Sequence, residues 1–237
     1  MARGRKKKAG LGIWAFRGAA LLVLIAISFA AWFWWDMRGW RPDGELYPEQ
    51  GAVIPVQPQR TNLVTLKAIG AQFAYLRLQP DPRSPDDDFA SRYARAFEAG
   101  LEVGVLLPFN PCYKADTQSA LFVQMVPRNP DLMNPAVELE MLADNCATPV
   151  SDAAVESELM TLINQIEMHS GKKVILKLGR DFEQRHNIAR MIERDLWLER
   201  DRARPDYAGR PWLLWSANSQ YVSEASEAPI EWMVVQR

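Results

Sequence analysis

Pro135-Ala136-Val137-Glu138-Leu139-Glu140 reads as a short buried strand that ends by presenting two carboxylates. Residues two apart on a strand share a face, so Glu138 and Glu140 lie side by side, roughly 6–7 Å apart along the chain. Two carboxyl groups so placed suit the acid and base work of glycosidic-bond hydrolysis. A solvated strand end looks the same, so the surrounding chain has to decide between the two.

Upstream, short apolar runs predict strands over 52–56, 72–78 and 101–108. Amphipathic stretches between them predict helices over 62–68, 86–99 and 117–126. Downstream, a long amphipathic helix over 152–170 is capped by Ser151 or Asp152 and closed by Gly171. A strand over 173–178, a helix over 181–193, and strands over 196–199, 211–216 and 230–235 complete the chain. Strands separated by 10–20-residue helical patterns indicate βαβ units and a parallel sheet, whereas the last three strands follow one another with little helix. The expected fold class is α/β, an irregular (β/α) TIM-like barrel preceded by a single transmembrane helix; a doubly wound open sheet is the competing arrangement. No Gly-rich phosphate loop follows any strand, which disfavours nucleotide binding. In a barrel, function collects at the C-terminal strand ends. The candidates there are Gln57 and Gln59, Gln79, Pro108 to Asn110, Glu138 with Glu140, Lys177 and Arg180, Trp215, and Glu231.

Six basic residues and no acidic ones precede Asp36, so the net charge of −1 conceals an acidic remainder with 22 basic and 29 acidic residues. An acidic domain argues against nucleic-acid binding. Residues 18–35 carry no charge, and Trp32, Trp34, Trp35 and Trp40 stand where an interfacial aromatic belt belongs. The expected order is a basic tip over 1–17, a transmembrane anchor over 18–35, a linker over 36–50, and one barrel domain over 51–237. The basic tip places the N-terminus in the cytoplasm, with the anchor in the cell inner membrane as a single pass and the barrel periplasmic or extracellular. A cleaved signal peptide competes, because Ser28 and Ala30 form a small-x-small pair, though bulky aromatics crowd that site. In an exported domain the two cysteines, Cys112 and Cys146, usually pair; two separate buried thiols are the alternative. They follow the third and fourth strands, whose loops share one face of a parallel barrel, where a disulfide is geometrically easy.

Several local patterns resemble glycoside hydrolase family 25, the Chalaropsis-type muramidases. Residues 66–77 (LKAIGAQFAYLR) are similar to that family's V-K-x-x-G-x-x-F-x-x-I-K segment, and residues 96–104 (AFEAGLEVG) to its A-x-x-A-G-L-x-V-G segment. Residues 115–122 (ADTQSALF) resemble its A-x-x-Q-A-x-x-F helix, and residues 134–140 (NPAVELE) fall on its L-P-x-V-L-D-x-E strand. The resemblance covers most of 51–237 and rests on the order and spacing of these patterns. It implies Glu140 as general acid, Glu138 as the electrostatic partner of the developing positive charge, and sugar contacts from Gln57, Phe109, Trp215 and Glu231. Other positions depart from the family. Val53 stands at the first strand's aspartate, Leu107-Pro108-Phe109 replaces a Tyr-His-Phe, Trp215-Ser216-Ala217 replaces a Trp-Gln-Tyr, and Glu231 lies in the segment of a late Val-Asp-x-Asn.

Other chemistry-bearing residues have plainer readings. His169 and His186 have no Cys or carboxylate at ligand spacing, so no metal site and no cofactor are expected. Asp86-Asp87-Asp88 reads as a helix N-terminus rather than a calcium site. Trp197 and Trp212 read as packing residues, and 199–204 (ERDRAR) as a solvated charged loop. The functional expectation is a membrane-anchored muramidase-like hydrolase of the β-1,4 bond between N-acetylmuramic acid and N-acetylglucosamine. Its partners would be peptidoglycan glycan strands and, through the N-terminal helix, the inner membrane; protein partners are left open. The alternative is an inactive relative that binds peptidoglycan or a partner protein through the same cleft.

Overall fold

The computed structural model describes residues 9–56, 61–79, 81–84 and 86–236. The chain divides into two compact units, Met1–Trp40 and Arg41–Arg237. The described part of the first holds a single helix, α1 (Ala9–Arg38). Its stretch Trp14–Asp36 is long and apolar enough to cross a membrane by length and composition. At ~1.5 Å per residue it spans about 34 Å against a hydrocarbon layer of about 30 Å. The helix starts well before residue 18 because Trp14, Ala15 and Phe16 extend the apolar run across the single charge of Arg17.

The second unit is a closed barrel in the order β1 (Gln50–Ile54), β2 (Phe73–Arg77), β3 (Glu102–Pro108), β4 (Ala136–Leu139), β5 (Ile175–Leu178), β6 (Leu196–Glu199), β7 (Leu214–Tyr221) and β8 (Ile230–Val235). Closure excludes the open doubly wound sheet. Strands β1 to β7 pair in parallel, whereas β8 is antiparallel to both β7 and β1. The cause is length: the connection over 222–229 is too short for a parallel crossover, which takes a dozen or more residues. The outer helices are α2 (Leu63–Ala68), α3 (Phe89–Glu98), α4 (Ala115–Met125), α5 (Asp152–Ser170), α6 (Arg180–His186) and α7 (Ile188–Met191). Helix α5 has the expected ends, with the Ser151 side chain accepting from the Ala154 N–H and Gly171 in the left-handed conformation.

Period-2 alternation sorts the strand residues into two cores. One set packs between strands and helices; the other, including Val53, Phe73, Tyr75, Leu106, Ile175, Trp197 and Met233, fills the barrel. Two glycines make that filling possible. A Cβ on Gly104 would lie 2.5 Å from the Tyr75 ring, and one on Gly51 would lie 2.5 Å from Phe73. The large rings of β2 therefore occupy space vacated by neighbouring strands, as small and large residues alternate in barrel layers.

Other boundaries also differ from expectation. Strand β7 begins at Leu214 and runs to Tyr221, because pairing with β8 through two register shifts carries polar residues such as Asn218 into the ladder. The helix expected over 181–193 is broken at Asn187, whose φ of 53° is left-handed. The linker stretch 36–50 joins the barrel unit from Arg41 onward: Gln50 Nε2 donates to the Pro42 and Tyr47 carbonyls, and Gln72 Nε2 to that of Pro48.

Candidate active site

The barrel's inward positions change character toward the C-terminal strand ends. Below are Tyr75 and Trp197; above them come Arg77, Glu138, Lys177, Glu199, Ser216 and Glu231. Strand register brings these into one layer. Glu138 is the cross-strand partner of Lys177, Glu199 of Ser216, and Glu231 of Val53.

Lys177 is the centre of this layer. Its side chain is 3% exposed, and Nζ lies 2.7 Å from Glu231, 3.0 Å from Glu138, 3.7 Å from Glu199 and 3.9 Å from Glu140. The Trp197 ring centroid is 5.2 Å away. Burial opposes the ammonium charge, but the surrounding carboxylates outweigh it and hold Lys177 above the ordinary lysine range. Glu138, 2% exposed, also pairs with Arg77 of β2. Both of its oxygens are thereby engaged, one by Arg77 and one by Lys177. Trp197 Nε1 donates to Ser216 Oγ at 2.6 Å, and Ser216 Oγ donates in turn to Glu231.

Above the lysine lies a cleft of about 340 Å³ lined by Glu140, Gly179, Arg180, Asp181, Glu199 and Tyr207. The Glu140 side chain is 48% and the Glu199 side chain 37% exposed. Burial, reinforced by the charge of Glu138, raises the Glu140 pKa, with Lys177 and Arg77 opposing. Burial, reinforced by Glu231, pushes the Glu199 carboxyl up to about 7 despite the opposing charge of Lys177. Tyr207 forms one wall: its Oη donates to the Leu178 carbonyl at 2.6 Å and accepts from the Glu199 N–H at 3.1 Å. Gly179 forms another, since a Cβ there would approach the Leu139 carbonyl oxygen to 2.9 Å and the Glu140 side chain to 3.2 Å. A carboxyl whose proton affinity is raised and that faces an open cleft can serve as a general acid.

The sequence-derived residues divide. Glu138, Glu140, Lys177 and Glu231 come together. Gln57 and Gln59 lie outside the described residues. Phe109 and Trp215, expected as sugar contacts, are buried, at 2% and 3% exposed. Phe109 packs edge-to-face on Phe182, while Trp215 lies against Tyr47 and Trp212 and donates to the Arg200 carbonyl. Parity is the reason: Pro108 and Ser216 take the inward positions, so each following or preceding ring turns outward. Glu199, the last residue of the strand expected over 196–199 and the first of the run read as a solvated charged loop, instead lines the cleft. It shares the inward face of β6 with Trp197, two residues before it.

Cys112 and Cys146 form a disulfide that ties the segment after β3 to the segment after β4. Asp86 is buried and ion-paired with Arg92 at 2.5 Å, ahead of a helix that begins only at Phe89. Among the described residues no group of His, Cys, Asp and Glu is arranged to hold a metal ion.

A model of the family described as glycosyl hydrolases family 25 matches residues 58–227. The Escherichia coli protein YegX (strain CFT073), itself uncharacterized, is 22% identical over 177 residues, which are 74% of this chain and 63% of that relative. The chain thus spans less than two thirds of that relative's length. Among solved structures, a family 25 glycosyl hydrolase from Bacillus anthracis is similar with a TM-score of 0.74 and 21% identity, over 84% of this chain and 93% of the other. A bacterial lysozyme from Streptomyces coelicolor is similar with a TM-score of 0.69 and 15% identity, over 80% and 92%.

Proposed function

Because the chain belongs to glycosyl hydrolases family 25, we propose that it is a lysozyme-type hydrolase of peptidoglycan, cleaving the β-1,4 bond between N-acetylmuramic acid and N-acetylglucosamine. Glu140 is the proton donor to the departing oxygen. The observation that carries this reading is its placement: a half-exposed carboxyl at the end of β4, with a raised pKa, opening on a cleft of about 340 Å³. Glu138, held between Arg77 and Lys177, is an internal brace for Lys177 and presents no free oxygen to substrate.

The test uses the full chain purified in detergent and incubated with intact sacculi, with new reducing muramic-acid ends measured beside a Glu140→Gln control. Release that disappears in the control supports hydrolysis. No release above the control, with sacculus binding retained, instead supports a peptidoglycan-binding relative. That second reading is favoured by the apolar Val53 and by the burial of Phe109 and Trp215, which leave the cleft without those stacking surfaces.

For location, the apolar stretch Trp14–Asp36 supports a single-pass anchor behind a basic cytoplasmic tip, with the barrel on the opposite side of the inner membrane. Protease added to intact spheroplasts would digest the barrel under this reading; complete protection would place it in the cytoplasm.

A further inference from the structure

Lys177 sorts the four glutamates around it into two kinds. Glu138 and Glu231 stand within hydrogen-bonding distance of Nζ and are 2% and 16% exposed. Glu140 and Glu199 stand farther off and keep 48% and 37% of their side-chain surface in the cleft. Only the second pair can meet a sugar. Each lies within 3.9 Å of one nitrogen, which limits the separation of their nearer oxygens to roughly twice that distance. Pairs of glycosidase carboxyls span about 5–9.5 Å.

We propose that Glu199 is the second catalytic carboxyl of the cleft, working with Glu140 from β6 in place of a carboxylate on β1, where Val53 stands. The inference rests on the hydrolytic reading of the site. Glu140 gives its proton to the departing glycosidic oxygen as the bond from that oxygen to the anomeric carbon breaks. Glu199, ionised, takes a proton from the water whose oxygen bonds to that carbon. One water is consumed, and the pair ends as it began, with one proton, which returns from Glu199 to Glu140 through solvent.

The surroundings of Glu199 fit this division. Lys177 comes from β5, Glu140 follows β4, Glu231 comes from β8, Asp201 follows β6, and Arg180, Asp181 and Tyr207 complete the cleft wall. Carboxylates outnumber the cations here, so the cleft favours keeping one proton. Two carboxyls this close titrate as a pair sharing one proton. The reactive form is the one with that proton on Glu140 and Glu199 ionised. Burial, which pushes the Glu199 carboxyl up to about 7, makes it ready to take a proton from water. Lys177 is the positioning residue that holds both carboxyls at the mouth. The Tyr207 hydroxyl fixes the backbone of Glu199.

The experiment measures release of reducing ends from sacculi against pH for the full chain in detergent and for Glu199→Gln, Glu199→Asp, Glu199→Gly and Glu140→Gln. Glu199→Gln is expected to lower kcat about 100-fold and to move the alkaline limb of the profile to lower pH. Added sodium azide, which takes the place of water as the nucleophile, is expected to restore bond cleavage by Glu199→Gly but not by Glu140→Gln, read as the glycosyl azide product by mass spectrometry. A Glu199→Gln variant with the parent's rate and profile, beside an inactive Glu140→Gln, overturns the role of Glu199 and leaves the hydrolytic reading standing. A slow Glu199→Gln with an unchanged profile, and no azide rescue of Glu199→Gly, also overturns it, because only packing was lost. Should the Gln and Gly variants not fold, Glu199→Asp decides: retention of the parent's alkaline limb supports the proposal, and its loss overturns it. Absence of release by the parent chain removes the hydrolytic reading and this inference with it.

Discussion

Glu138 and Lys177 are direct cross-strand partners on β4 and β5, joined at 3.0 Å in the barrel interior. This pair couples the strand that carries Glu140 to the cation that all four glutamates share. It is also what makes the interior polar layer tolerable, since each buried charge there has an opposite one in contact. The apolar side chain at position 53 fits the same scheme: an acid there, opposite Glu231, would add a fifth negative group around one lysine.

Lys177→Met is expected to destabilise the barrel by about 3–5 kcal/mol at pH 7, the usual cost of leaving buried partners without their counter-charge. The folded-state pKa of Lys177 is raised, so its contribution is fully present below the ordinary lysine value of about 10.4 and is lost only as pH rises through the higher folded one. Between pH 5 and 7 the lysine itself therefore does not titrate. The variant's penalty should nonetheless shrink at pH 5, where Glu140 and Glu199, whose carboxyls burial already raises, carry less negative charge. Denaturant unfolding at the two pH values, followed by tryptophan fluorescence, checks this.

Glu199 has the opposite linkage. Its folded pKa, about 7, lies above its unfolded value. Folding therefore binds a proton, and stability falls as pH rises from about 4.5 to 7. Glu199→Gln removes that loss and is expected to be more stable than the parent at pH 8, by about 1 kcal/mol after allowance for the exposure of the group. The two proteins should converge below pH 4.5. Melting temperatures across pH 4–8 provide the measurement; a Gln variant less stable at pH 8 than at pH 4, relative to the parent, contradicts the linkage.

Much of this arrangement was legible in the sequence where one local signal sufficed. Ser151 and Gly171 marked the two ends of α5, and the alternation of Val137, Glu138, Leu139 and Glu140 gave a strand with its carboxylates in the right register. The signals that failed were those whose meaning depends on closure. Glu199 followed by Arg200 and Asp201 is indistinguishable from a solvated run until β5, β6 and β8 are brought around Lys177. Phe109 and Trp215 sit at strand ends in either case, and only the inward parity of Pro108 and Ser216 turns them outward. Asn187 gave no local warning of the break between α6 and α7 because asparagine occurs in helices as well as in left-handed turns.

The Cys112–Cys146 bond closes a loop with a sequence separation of 34. Restricting the unfolded chain over such a loop contributes about 3–4 kcal/mol. Replacing both cysteines with serine is expected to lower stability by that order, and dithiothreitol should bring the parent chain to the same value. Equal unfolding midpoints with and without reductant would show that the bond contributes nothing.

Tyr207→Phe probes the cleft wall from the other side. The hydroxyl donates to the Leu178 carbonyl at the end of β5 and accepts from the Glu199 N–H at the end of β6, and burial pushes its pKa up to about 12. Phenylalanine keeps the ring's packing but leaves a part-buried carbonyl and N–H without this partner, at a cost of about 1–3 kcal/mol. The functional effect should be larger than the stability effect suggests, because Glu199 then loses the contact that fixes its backbone. A displacement of about 1 Å at a reacting group can cost about 100-fold in rate. The expected pattern is a lower kcat with KM little changed. Tyr207 is on the wall rather than at the reacting atoms, so the pH profile should keep its shape. A fall in kcat together with a shifted alkaline limb would instead make the Tyr207 hydroxyl part of the proton-transfer chain, and would reassign the wall residue to the chemistry.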